Sequence, residues 1–218
     1  MDYNANQFIQ FALEREALKF GSFELKSGRV SPYFFNAGVF NDSEALWQLG
    51  RFYAQAIVQA DIKFDVLFGP AYKGIPLVCT TAICLLREFN INKPFSFNRK
   101  EVKSHGEGGW FVGAPLEGRV LIVDDVISSG ATAREVIPLI REIGAQPVGL
   151  VISFDRQEKG EGETSSVDEM AEEFGVPVIS VANVAQLAEM VAGDAGYSGF
   201  IEGLREYQGR YGAGLGVK

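Results

Sequence analysis

Short apolar runs that alternate with helical stretches recur from residue 64 onward and leave few folds open. Strand-length runs lie at 64–68, 94–97, 120–123, 148–154 and 176–181, and helical patterns at 74–89, 131–143 and near 166–174. This alternation implies βαβ units with right-handed crossovers and a buried, mostly parallel sheet flanked by helices. Upstream, Phe8, Ile9, Ala12, Leu13 and Ala17 share one helical face, so a helix is predicted over 6–19 with Gly21 as its stop. Asp42 or Ser43 can cap a second helix that carries Leu46, Leu49, Tyr53, Ile57 and Ala60 on one stripe. A last helix is expected near 196–210, followed by a frayed Gly-rich tail over 212–216. Nothing linker-like divides the chain, which reads as one α/β domain over 1–218 with a small N-terminal α/β extension. Residues 155–165 read as an exposed loop and 99–118 as a longer one, and long loops are usually functional or disordered.

Charge narrows the choice of ligands. With 28 acidic against 20 basic side chains the net charge is −8, which argues against general nucleic-acid or anionic-membrane binding. An anionic substrate must therefore meet a local cluster of cations. A single histidine, His105, excludes multi-His metal sites. The two cysteines, Cys79 and Cys84, would point about 140° apart on one helix, so they are expected as free thiols in a reducing cytoplasm. The first residues are acidic and polar where a secretory leader needs a cationic start, and the longest uncharged apolar stretch, 74–86, is too short to span a bilayer.

Four segments carry chemistry. In VLIVDDVISSGAT, residues 120–132, a buried strand ends in Asp124 and Asp125, and a hydroxyl-rich turn with Ser128, Ser129, Gly130 and Thr132 opens a helix. Backbone N–H groups at a helix N-terminus bind anions, and strand ends of parallel sheets bind ligands. Two carboxylates beside a phosphate site fit a sugar phosphate, with ribose hydroxyls on the acids. No Walker loop and no dinucleotide fingerprint occurs. RKEVKSHGEGG, residues 99–109, gathers Arg99, Lys100, Lys103 and His105 with three glycines. It reads as a cationic lid over a polyanion or as a solvated loop. GPAYKG, residues 69–74, places Tyr72 and Lys73 in another strand-to-helix turn. Residues 23–36 set Phe34 and Phe35 beside Lys26 and Asn36, either to stack a flat ring or as a hairpin packed on the core.

Together these segments resemble the orotate phosphoribosyltransferases, a family of type I phosphoribosyltransferases. The 120–132 stretch is similar to the phosphoribosyl-pyrophosphate motif of the whole type I group. Residues 25–36 and 99–108 resemble the orotate enzymes specifically, and the resemblance spans nearly the whole chain. Ser128 and Ser129 stand where the motif more often has threonine; the hydroxyls are kept.

The resemblance implies the type I phosphoribosyltransferase fold, with a small hood built mainly from 1–40 and C-terminal segments. It implies that Asp124, Asp125, Val126, Ile127, Ser128, Ser129, Gly130, Ala131 and Thr132 bind the ribose and its 5′-phosphate. Lys26, Tyr72 and Lys73 would hold the pyrophosphate, and Arg99, Lys100, Lys103 and His105 would close over it. Phe34, Phe35, Ser128 and Arg156 would hold orotate. It further implies a homodimer whose 99–109 loop reaches the neighbouring active site, with Mg²⁺ held mainly by substrate and water. Lys103, His105, Asp124 and Asp125 are then the catalytic residues. A purine-using relative is disfavoured by 25–36 and Arg156. A regulatory relative that binds nucleic acid is disfavoured because 1–40 carries no basic excess.

Overall fold

The computed structural model describes residues 5–25, 27–103, 109–127, 130–160 and 162–214, without the side chains of Val102 and Lys103. A six-stranded sheet has the order β5-β4-β3-β6-β7-β8. Its strands are β3 (Val66–Gly69), β4 (Phe95–Lys103), β5 (Gly109–Gly113), β6 (Arg119–Val123), β7 (Gln146–Asp155) and β8 (Val178–Asn183). All neighbours pair in parallel except β4 and β5.

Because side chains alternate across a strand, each strand feeds two cores. From β6, Leu121 and Val123 enter one cluster with Ile9, Leu49, Leu85 and Leu187. Val120 and Ile122 enter the other, with Val136, Ile140 and Met170. The first face is covered by α1 (Ala5–Glu14), α2 (Ser43–Gln59), α3 (Gly74–Phe89) and α6 (Val184–Gly193). The second is covered by α4 (Ala131–Glu142) and α5 (Ser166–Phe174). Chain order runs outward from the centre in both directions, since β3 leads to β4 on one side and β6 to β7 and β8 on the other. The switch point of this sheet therefore lies between β3 and β6. Above it, β1 (Leu18–Glu24) and β2 (Val30–Phe35) form a separate antiparallel hairpin, against which α7 (Ile201–Tyr211) packs through Tyr207 and Tyr33.

The helix over 74–89 has its predicted bounds, and Asp42 caps α2 through Ala45 N. Other expectations need correction. The first helix stops at Glu14, and Glu16 turns left-handed with φ 56°. Ala17 and Leu18 are instead buried by the hairpin, and Gly21 lies inside β1. Ala17 falls four residues after Leu13, so its burial continues the helical spacing, and periodicity alone extends the helix too far. The 99–118 stretch is not a plain loop: β4 continues to Lys103 and pairs with β5, Lys103 opposite Gly109. Residues 155–165 are not simply exposed, because Glu158 bridges to Gly212 and Lys159 to Ser165. The same bridge, with Ala213 N on Gln157 O, ties down the start of the tail. Helix α6 follows an Asn183–Gln186 capping box.

Candidate active site

The carboxyl ends of β3, β6 and β7 meet at the switch point. After β3, the chain turns so tightly that a Cβ on Gly69 would lie 2.2 Å from Gly74 O. Within this turn the Ala71–Tyr72 peptide is cis, and Asn98 Oδ1 on β4 accepts from Ala71 N at 2.7 Å. The turn presents Tyr72 and Lys73 outward, with Tyr72 72% exposed.

After β6 come the two acids. Asp125 is buried and receives Lys73 Nζ on Oδ2 at 2.5 Å. The peptide carbonyls of the pair are pinned from below. Tyr53, fully buried on α2, donates its hydroxyl to Asp124 O at 2.7 Å, and Ser153 on β7 donates both its N, at 2.8 Å, and its Oγ to Asp125 O. Burial pushes the Asp124 carboxyl up to about 7, with the Asp125 charge acting in the same direction and Lys73 and Lys100 against it. Gly130 caps α4 at φ 71°, and among the described residues no side chain caps the first N–H groups of that helix, groups of a kind that suits an anion. A Cβ there would lie 2.5 Å from Met170 Sδ. A pocket of about 70 Å³ has Pro70, Asp124, Val126, Gly130, Ala131 and Thr132 among its lining residues.

At the end of β7, Arg156 lies against the hairpin. Its Nη2 donates to Ser31 Oγ at 2.9 Å and its guanidinium stands 4.2 Å from the centre of the Tyr33 ring. Phe34 and Phe35 leave β2 on opposite faces. Phe34 is 39% exposed and stacks on Phe23, whereas Phe35 is buried and stacks on Phe154. A flat ligand therefore meets one of these rings and not both. On β4, Arg99 Nη1 donates to Gly109 O at 3.1 Å. Lys26, His105, Ser128 and Ser129 lie outside the described residues, as does the Lys103 side chain.

The structure thus brings together Tyr72, Lys73, Lys100, Asp124, Asp125 and the start of α4, with Arg156 at the neighbouring strand end. It adds Tyr53, Asn98 and Ser153, which a sequence reading misses because a buried hydroxyl or amide carries no local pattern.

Known proteins match this arrangement. Residues 37–183 match the family model of the phosphoribosyl transferase domain. The orotate phosphoribosyltransferase of Pseudomonas paraeruginosa is 53% identical over 205 residues, 94% of this chain and 96% of that protein. That of Cellvibrio japonicus is 51% identical over 215 residues, 99% of this chain and 100% of its own length. The crystal structure of orotate phosphoribosyltransferase from Francisella tularensis superposes with a TM-score of 0.86 at 42% identity, covering 94% of this chain and 99% of that one. Identity of this order along nearly the whole of both chains makes this chain a member of the orotate phosphoribosyltransferase family.

Proposed function

We propose that the chain transfers the 5-phosphoribosyl group of 5-phospho-α-D-ribose 1-diphosphate to orotate, giving orotidine 5′-monophosphate and diphosphate in pyrimidine synthesis. The observation that carries this reading is the acid pair at the end of β6, half-buried Asp124 and buried Asp125, beside the start of α4. Helix N–H groups suit the 5′-phosphate and the acids suit ribose hydroxyls. Arg156 supplies a cation for the carboxylate of orotate, and Phe34 a face for its ring.

Displacement at C1 of the ribose builds positive charge on the sugar and negative charge on the leaving diphosphate. Asp124 and Asp125 stabilise the first. Lys73, Lys100, Lys103 and His105 stabilise the second, each preplaced charge being worth roughly 3–4 kcal/mol. Orotate is already an anion with a nucleophilic ring nitrogen, so the site needs no strong base. Mg²⁺ fits this donor set as an ion carried by substrate oxygens and water. Among the described residues no group of three His, Cys, Asp or Glu could enclose a metal, while two crowded carboxylates gain from a nearby cation. When bound, Mg²⁺ neutralises charge on the diphosphate. The reading includes a cytoplasmic homodimer in which residues 99–109 serve the partner's site. Among the described residues no helix is long and apolar enough to cross a membrane.

The test is loss of orotate absorbance with phosphoribosyl diphosphate and Mg²⁺. Turnover should stop when EDTA removes the metal, and equal or faster use of hypoxanthine or adenine would overturn the base assignment.

A further inference from the structure

Arg156 does not stand alone at the end of β7. Its Nε and Nη2 both meet the same carboxylate oxygen, Glu158 Oε1, at 2.7 and 2.6 Å. Nη2 also reaches Ser31. The other oxygen, Glu158 Oε2, faces Arg29 Nη1 at 3.3 Å. Glu158 and Arg156 are largely withdrawn from solvent, their side chains 11% and 19% exposed. Glu158 is itself fixed from two sides. The C-terminal strand-like bridge holds its backbone to Gly212, and Tyr211 O accepts from Lys159 N at 2.8 Å. Arg29, from the hairpin, donates to Lys159 O and stacks on Tyr211. Gln208 on α7 donates to Arg156 O at 3.1 Å.

Two consequences follow from this arrangement. The Nε–Nη2 edge of the guanidinium is occupied by Glu158 and Ser31, and the Tyr33 and Tyr207 side chains lie beside it. The guanidinium has a fixed fork geometry, so fixing one edge sets the direction of the other donors. Charge gives the second consequence: Arg29 and Arg156 share the Glu158 carboxylate, with Asp155 a further carboxylate nearby, so Glu158 holds the Arg156 guanidinium in place without being its exclusive counter-ion.

We propose that Glu158 is a positioning residue that acts through Arg156, holding one edge of its guanidinium so that the remaining donors are directed at the substrate carboxylate. This rests on the reading of Arg156 as the orotate-carboxylate group.

The experiment compares Glu158→Ala, Glu158→Gln and Arg156→Ala in steady-state kinetics with each substrate varied, alongside thermal melting. Glu158→Ala should raise KM for orotate about 10-fold while KM for phosphoribosyl diphosphate stays within about 2-fold of wild type. Glu158→Gln keeps an oxygen acceptor for Nε and Nη2, and should restore most of the orotate KM. If Glu158→Ala leaves orotate KM unchanged while Arg156→Ala raises it, the positioning role is wrong and the role of Arg156 stands. If Glu158→Ala raises both KM values alike, or Glu158→Gln rescues nothing, Glu158 serves the fold and not the substrate. If Arg156→Ala leaves orotate KM unchanged, the underlying reading of Arg156 fails, and this proposal with it.

Discussion

Lys73 Nζ stands 2.5 Å from Asp125 Oδ2, so an ion pair joins the turn after β3 to the turn after β6 across the switch point of the sheet. The lysine side chain is 58% exposed and the aspartate 12%. An ion pair with one partner in water adds little to stability, about 1 kcal/mol or less. Its placement matters more, because a diphosphate entering the site finds the ammonium already held there. Lys73→Gln should lower kcat/KM for phosphoribosyl diphosphate about 10- to 100-fold, or about 1.4–2.7 kcal/mol, with little change in melting temperature. Unchanged kinetics with a large fall in melting temperature would make the pair a structural one.

Asp124 gives the unliganded protein a pH signature. Burial and the Asp125 charge raise its carboxyl to about 7, well above an unfolded aspartate. Between about pH 4 and 7 the native state then binds more protons than the unfolded state, so this group makes stability fall as pH rises through that window. Asp124→Asn removes the dependence. Melting curves should coincide near pH 4, and at pH 8 the variant should be the more stable by up to about 4 kcal/mol. Equal melting temperatures at pH 8 would show that Asp124 ionises freely.

Tyr53 holds Asp124 through its main-chain carbonyl, 2.7 Å from the buried hydroxyl. Tyr53→Phe leaves that carbonyl short of a donor and frees the peptide that carries the acid pair. The expected result is a loss of about 1–3 kcal/mol in stability and of about 10-fold in kcat. Denaturant unfolding and initial rates check both, and an unchanged kcat would separate the bond from catalysis.

Gly130 combines φ 71° with a Met170 sulfur 2.5 Å from where a Cβ would sit. Gly130→Ala should cost about 1–3 kcal/mol and raise KM for phosphoribosyl diphosphate at least about 10-fold, because the start of α4 must shift. A variant with wild-type KM would mean that the phosphate lies elsewhere.

Sharing of sites between subunits is tested by mixing inactive Asp125→Asn protein with inactive Lys103→Ala protein after dissociation and reassembly. Lys103→Ala alone should lower kcat by about 10² to 10³. Random pairing makes about half the dimers hybrid, each with one whole site, so about a quarter of wild-type activity should return. If the 99–109 segment served its own subunit, every site would carry one lesion and nothing would be recovered.

The sequence by itself determined the parallel α/β layout, because buried strands need uninterrupted apolar residues and helices a 3.6-residue stripe. It also marked the Asp124–Thr132 turn and the Tyr72–Lys73 turn, since acids and glycines at strand ends are local signals. The first helix was overextended because Ala17 and Leu18 are buried by a hairpin, a distant contact that mimics a helical face. The 99–103 stretch looked like a loop because its charged residues owe their strand to pairing with β5 rather than to their own burial. Only the tertiary structure decided that Phe34 and Phe35 part company, one exposed and one in the core. Only it, too, showed Tyr53 and Ser153 beneath the acid pair and Glu158 behind Arg156. The first two partners lie 71 and 28 residues from the acids they hold, and Glu158, only two residues from Arg156, is fixed from the far side by Arg29. Hydrogen bonds between remote elements depend on how the layers are stacked, which no local spacing encodes.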